Sequence, residues 1–250
     1  MGRSIQQIEH LSLEAWPALE QRVYDGWIVR FANSYTRRSN SISPVDSSSL
    51  PVAEKITSCE ALYRERGQRT VFKMTSEVFP HNLDDILAEN GYIKEAPTRV
   101  QQRLTLVNVE LPSLKTVSIS QQFNDDWLHL YCRSNNLDIC HLPTMQRMLN
   151  RIAPAQGFAT LYHEGQMAAV GLGVVTGDAL WFFDVATDVA LRNRGLGKQL
   201  MLHLIQWGKA NGATTAYLQV MADNAPAVRL YEKLGFREIY EYWYRVKTDV

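Results

Sequence analysis

No apolar run in the 250 residues approaches the ~20 that a membrane-spanning helix needs. Residues 1–19 carry Glu9, His10 and Glu14 where a secretion signal would be apolar, so the sequence reads as a cytoplasmic protein with no membrane partner. Net charge is missing too. Twenty-six lysines and arginines balance 26 aspartates and glutamates, and no global field draws the chain to nucleic acid. Cysteine is scarce: Cys59, Cys132 and Cys140 are an odd number at spacings of no zinc or redox motif, which points to buried, inert thiols and no disulfide. The six histidines are scattered, none four residues from another, so no local metal site is expected.

What remains is a hydrophobic fraction of 46%, enough for a real core in one large or two small domains. Its most informative stretch begins at Asp188 and ends at Leu200. Residues 179–187 are aromatic and β-favouring and read as a buried strand. Leu196, Leu200, Leu204 and Trp207 then recur at helical spacing, and Asn211-Gly212 supplies the stop. A helix start leaves backbone N–H groups unpaired at the positive end of the dipole. Glycine at 195 and 197 lets an anion approach them, and Arg192, Arg194 and Lys198 add positive charge, with Asn193 and Leu196 completing the turn. A pyrophosphate suits such a place.

Spacing narrows the choice. A dinucleotide fingerprint needs a third glycine where Leu200 stands, and a P-loop needs glycine and Ser or Thr where Arg192 and Gln199 stand. What fits is Arg-x-x-Gly-x-Gly, Arg192 to Gly197. Downstream, residues 216–221 read as a strand. Asp223-Asn224-Ala225-Pro226 then opens a helix whose apolar face holds Val228, Leu230, Tyr231 and Leu234 before Gly235 ends it. With Asn224-x-x-Ala227-x-x-x-Tyr231-x-x-x-Gly235-Phe236 in place, residues 116–247 resemble the GNAT superfamily of N-acetyltransferases.

The resemblance implies an α/β (α+β) fold: a mixed, mostly antiparallel central sheet flanked by helices. It also implies acetyl-CoA as cosubstrate, its pyrophosphate on the 192–198 loop and its pantetheine and acetyl carbonyl on backbone N–H groups of Val185, Ala186 and Thr187. Tyr231 matches the family's frequent general acid, and packing alone is the other account of it. Asn224 matches a cofactor contact; helix capping explains it equally well. The family often has proline where Val189 stands, and it has no fixed general base. Asp184, among Trp181, Phe182 and Phe183, is the better candidate for that role, with Glu164 in a turn as the other. The expected enzyme moves an acetyl group from acetyl-CoA to a primary amine of a small molecule or peptide. The alternative is a non-catalytic acyl-CoA-binding or interaction protein, and an assembly role through the N-terminal half would make a homodimer through that half.

The remaining chain is assigned by pattern. Residues 5–24 read as a helix interrupted near Pro17, 26–31 as a strand, 39–49 as polar loop, 51–66 as a helix, 70–74 as a strand and 82–89 as a helix. Beyond the join at Leu111-Pro112-Ser113 come a strand at 116–120, helices at 124–133 and 143–152, and a meander at 159–187. Two domains follow, 1–110 and 116–250, the second catalytic. Residues 87–95 parallel 230–238, with Ala88 standing where Tyr231 stands, so the first is either a degenerate GNAT-like half or an unrelated cap. Residues 27–41 hold three arginines and three aromatics; a solvated strand and turn is the plainer reading, an acceptor pocket or interface the other. Gly171 and Gly173, with no helix after them, read as bulges or close-packing sites.

Overall fold

The computed structural model describes residues 2–247. In chain order the elements are α1 (Ile5–Ala15), β1 (Glu20–Tyr24), β2 (Trp27–Phe31), β3 (Ile42–Ser43), α2 (Val52–Arg64), β4 (Val71–Met74), α3 (Leu83–Glu89), β5 (Ile93–Arg103), β6 (Val117–Ser120), α4 (Asp125–Ser134), α5 (Leu142–Leu149), β7 (Ala155–His163), β8 (Gln166–Thr176), β9 (Ala179–Thr187), α6 (Leu196–Ala210), β10 (Thr215–Met221), α7 (Ala225–Lys233) and β11 (Arg237–Val246). They form two compact units: Met1–Arg99 with Thr144–Arg151 and Tyr240–Val250, and Val100–Pro143 with Ile152–Ile239. Among the described residues no helix is long and apolar enough to cross a membrane.

In the first unit, Ser4 and Gln7 close a capping box that starts α1. The helix ends before Pro17, whose ring disfavours helical geometry in the residue ahead of it. The expected continuation to residue 24 is a strand instead. Asp25 (φ 44) and Gly26 (φ 80) make a two-residue turn that pairs β1 antiparallel with β2, Tyr24 opposite Trp27. The polar 39–49 loop likewise contains β3, which pairs antiparallel with β2 and parallel with β4; β11 lies antiparallel beside β4. Every residue of β2 is buried, which overturns the solvated reading of that stretch. Trp27, Phe31, Ile42 and Phe72 pack against Ile56 and Tyr63 of α2 and Leu83 and Leu87 of α3, and even Arg30 is 1% exposed.

The second unit is the mixed, mostly antiparallel arrangement expected. β6, β7, β8 and β9 pair antiparallel in sequence, and β10 joins β9 in parallel; β5 lies beside β10. Helix α6 seats on a glycine path: a Cβ on Gly157 would stand 2.7 Å from Trp207, one on Gly171 3.1 Å from Leu200, and one on Gly173 3.1 Å from Trp207 and 3.2 Å from Leu204. Absent β-carbons on the sheet let the helix approach, so Gly171 and Gly173 serve close packing. Helix α4 holds the other face through Trp127, whose indole donates to Ala159 O at 3.0 Å and meets Phe158 edge-on.

The two helix exits that look alike in sequence are built alike. After α3, Gly91 N donates to Ala88 O and Tyr92 N to Leu87 O; after α7, Gly235 N donates to Glu232 O and Phe236 N to Tyr231 O, with φ 82 at both glycines. This closure sets Leu87, not Ala88, at the place of Tyr231: the α7 exit has one more residue between its leucine and its glycine, so matching the leucines shifts the frame by one.

Candidate active site

The site is organised by an irregularity in β9. Leu172 pairs with Phe183 and Val170 with Ala186, so Asp184 and Val185 together oppose the single residue Gly171. Asp184 takes φ 52 within the strand, the mark of a β-bulge. Gly171 accommodates it: a Cβ there would lie 3.3 Å from Val185 Cγ2. Beyond this point β9 leaves β10. Their parallel pairing ends at Phe182 and Leu218, while the strands run on to Thr187 and Met221. Asp188 N donates to Ala168 O, on the β8 side, at 2.9 Å. Because successive N–H groups alternate between a strand's two edges, Thr187 and Val185 turn theirs to the edge that β10 has left.

The loop after β9 presents the start of α6. Gly195 caps the helix at φ 76, a conformation costly for a β-carbon, and no side chain bonds to the first amides. Leu196, Gly197 and Lys198 therefore keep N–H groups outside the helix ladder. Asn193 is also left-handed, at φ 64. The three cations divide in their partners. Lys198 Nζ meets Glu110 at 2.6 Å, Arg192 donates to Ser134 O at 2.7 Å and Thr187 O at 3.4 Å, and Arg194 is exposed with no hydrogen bond or ion pair among the described residues. A Cβ on Gly197 would lie 3.4 Å from Thr187 Oγ1 and 3.5 Å from Leu230. The end of β9, the start of α6 and the side of α7 meet there.

Tyr231, next to Leu230, is half-buried and stacks edge-on with Phe236 at 6.2 Å. Its hydroxyl has no hydrogen-bond partner among the described residues, and desolvation alone pushes its phenol up to about 12. The group is therefore a protonated donor throughout the neutral range. Asn224 caps α7, accepting from Ala227 N at 3.2 Å. Asp184 is buried, 8% exposed, and lies on the α4 side, where its charge adds to burial in raising the Cys132 thiol. Glu164 stands in the β7–β8 turn with its side chain 82% exposed, beside His163. Cys59 and Cys132 are buried, as expected of inert thiols; Cys140 is exposed, because it follows the turn that Asp138 caps.

Over residues 3–245 the chain matches the family described as probable histone acetyltransferase Rv0428c C-terminal. The chain belongs to this family. It is 27% identical over 248 residues to the uncharacterized N-acetyltransferase YobR of Bacillus subtilis, covering 97% of this chain and 98% of that one. A shorter match of 78 residues, 41% identical, covers 31% of this chain and 53% of the [ribosomal protein bS18]-alanine N-acetyltransferase of Escherichia coli. In fold it is similar to a GCN5-related N-acetyltransferase from Kribbella flavida, with a TM-score of 0.75, 14% identity and coverage of 100% and 98% of the two chains. The protein is an acyltransferase of the GNAT type.

Members of this site invisible in the sequence are those joined only by folding. Arg133 reaches Asp188 at 2.9 Å, and Ser134 receives Arg192. No local pattern marks them, since 55 and 58 residues separate the partners. The bulge had one weak signal, a glycine in the neighbouring strand.

Proposed function

We propose that this acetyltransferase moves an acetyl group from acetyl-CoA to a primary amine by direct attack in a ternary complex, the amine belonging to a peptide or protein. The carrying observation is the parting of β9 from β10 after Phe182 and Leu218. It leaves a strand edge of unpaired amides leading to an uncapped helix start, and this donor set fits a long ligand with amides at one end and a pyrophosphate at the other. N–H groups of Val185 and Thr187 would hold the acetyl carbonyl and pantetheine. Amides of Leu196, Gly197 and Lys198, with Arg194, would hold the pyrophosphate. A side-chain contact from Asn224 competes with its cap.

Coenzyme A supplies an activated acetyl thioester. Asp184, on the α4 side, takes a proton from the acceptor ammonium directly or through water. The neutral nitrogen then forms the new C–N bond at the thioester carbon, and as the C–S bond breaks the nitrogen gives its second proton to water or to the phenolate that Tyr231 becomes. Strand N–H groups stabilise the oxyanion between, and Tyr231 gives its proton to the leaving thiolate. A peptide acceptor is favoured because one relative is named for an alanine of a ribosomal protein. Residues 116–250 carry the chemistry, and residues 1–110 form a GNAT-like half without it.

Calorimetric titration with acetyl-CoA tests the reading, run in parallel on Gly195→Asp, whose carboxylate would repel a phosphate. Binding by the parent and its loss in a folded variant support it; a parent that does not bind acetyl-CoA rejects it.

A further inference from the structure

Helix α4 ends in a way that ties it to the cofactor loop. A helix leaves its last four carbonyls without intrahelical partners. In α4, Tyr131 O accepts from Asn135 Nδ2 at 2.9 Å, Cys132 O from Leu137 N at 3.0 Å and Arg133 O from Asn136 N at 3.5 Å, all within the exit turn. The fourth, Ser134 O, is served from 58 residues away by Arg192 Nη2 at 2.7 Å, in a partly buried contact. The same guanidinium turns its Nε to Thr187 O, at the end of β9. Arg133 crosses in the opposite direction to Asp188 at 2.9 Å, and Asp188 in turn accepts from Ala190 N at 3.0 Å. Two arginines thus fasten α4 to the segment between β9 and α6.

We propose that Arg192 is a positioning residue that seats α4 against the end of β9, and is not a ligand of the cofactor's phosphates. A cation at a helix C-terminus is doubly favoured, by the unpaired carbonyl and by the dipole. The planar fork of arginine spans two carbonyls that a lysine ammonium meets only one at a time. What α4 brings to the site is its inner face near Asp184: the Cys132 thiol feels that carboxylate. Ordering of the 192–198 segment by a bound pyrophosphate then holds α4 in place as well. Cofactor binding tightens the wall around the candidate base. Only this ligand-bound consequence rests on the acetyl-CoA reading.

Cys132 reports on the seat, because its alkylation requires α4 to move. The test compares the parent, Arg192→Met and Arg192→Lys, with iodoacetamide labelling of Cys132 followed by peptide mass spectrometry and exposed Cys140 as internal control. Loss of one charge-assisted hydrogen bond shifts a local opening equilibrium by about tenfold. Arg192→Met should therefore label Cys132 about tenfold faster than the parent, Arg192→Lys should fall between them, and coenzyme A should slow labelling in the parent far more than in Arg192→Met. Calorimetric affinity for coenzyme A should change by less than about threefold in Arg192→Met, as for a residue that does not touch the phosphates. Unchanged Cys132 labelling in Arg192→Met overturns the proposal whatever the affinity. A fall in affinity of about tenfold or more overturns it too, since the arginine would then be a phosphate ligand. A parent that does not bind coenzyme A refutes the cofactor reading alone, and the labelling without ligand still decides the role of Arg192.

Discussion

Each half of this chain has a loop that leads from a strand into a long helix; neither helix start has a side-chain cap, but only the first half sets an acid on the amides ahead of its helix. Before α6, Gly195 leaves the first amides open and Arg194 stands unpaired among the described residues. Before α2, the carboxylate of Asp25 accepts from Ser49 N at 3.1 and 3.0 Å and from Leu50 N at 2.9 Å, with Lys55 Nζ at 3.2 Å. The strands differ in the same sense. β9 bulges and outruns its pairing with β10, whereas β3 is two residues long and has no free length beyond β4. One half leaves the amides at its helix start open; the other places an acid on two amides just before its helix. An unpaired set of loop amides costs stability unless something occupies it, and Asp25 occupies those of Ser49 and Leu50.

The largest effect belongs to the open loop. Gly195→Asp places a carboxylate among the α6 amides and should weaken acetyl-CoA binding on the order of 100-fold or more by calorimetry; affinity within about threefold would remove the loop from the site. Next is the residue that the first half lacks, Leu87 standing where Tyr231 stands. Tyr231→Phe keeps the ring against Phe236 and should lower thiol release from acetyl-CoA about 100-fold, with an alanine-initiated peptide as acceptor. Binding of acetyl-CoA should be untouched, and unchanged turnover would leave Tyr231 a packing residue. Smaller again is Gly171→Val. Its side chain would crowd Leu200, Leu204 and Val185, costing about 2 kcal/mol in urea unfolding. A neutral outcome would mean that the bulge does not depend on close seating of α6.

Much of this contrast was legible in the sequence on one side and little of it on the other. The second half speaks through spacing, because a phosphate loop needs glycines at fixed intervals and the Tyr231 helix needs its cap and stop. Elements from residue 116 onward follow that pattern closely. The first half has no ligand to impose a motif. There β1 reads as helix because Val23 continues the apolar rhythm of α1, although Pro17 and the Asp25-Gly26 turn both argue for a hairpin. The buried β2 reads as solvated because Arg30 looks like a surface charge, yet its guanidinium ends on carbonyls of Trp16 and Arg38. Contacts between distant segments, such as Arg192 with Ser134 or Asp25 with Leu50, have no local signature.

Asp25→Asn tests the closed loop and should have the smallest effect on acetyl-CoA binding at neutral pH. The Leu50 and Ser49 amides, helped by Ser49 Oγ and Lys55, hold the Asp25 carboxyl well below the usual carboxylate range. A carboxyl depressed in the folded state binds its proton more readily when unfolded, so its contribution is present above the unfolded value of about 3.9 and lost as pH falls through the folded one. The parent should therefore lose thermal stability on acidification through this range more steeply than Asp25→Asn, whose amide does not titrate. Acetyl-CoA affinity should not move, because the carboxylate serves the half without the open strand edge. Equal acid dependence in the two proteins would deny that the Ser49 and Leu50 amides hold the Asp25 carboxylate. A gain of acetyl-CoA binding stoichiometry in Asp25→Asn would break the comparison from the other side: the first half would then have kept a cofactor site and merely covered it.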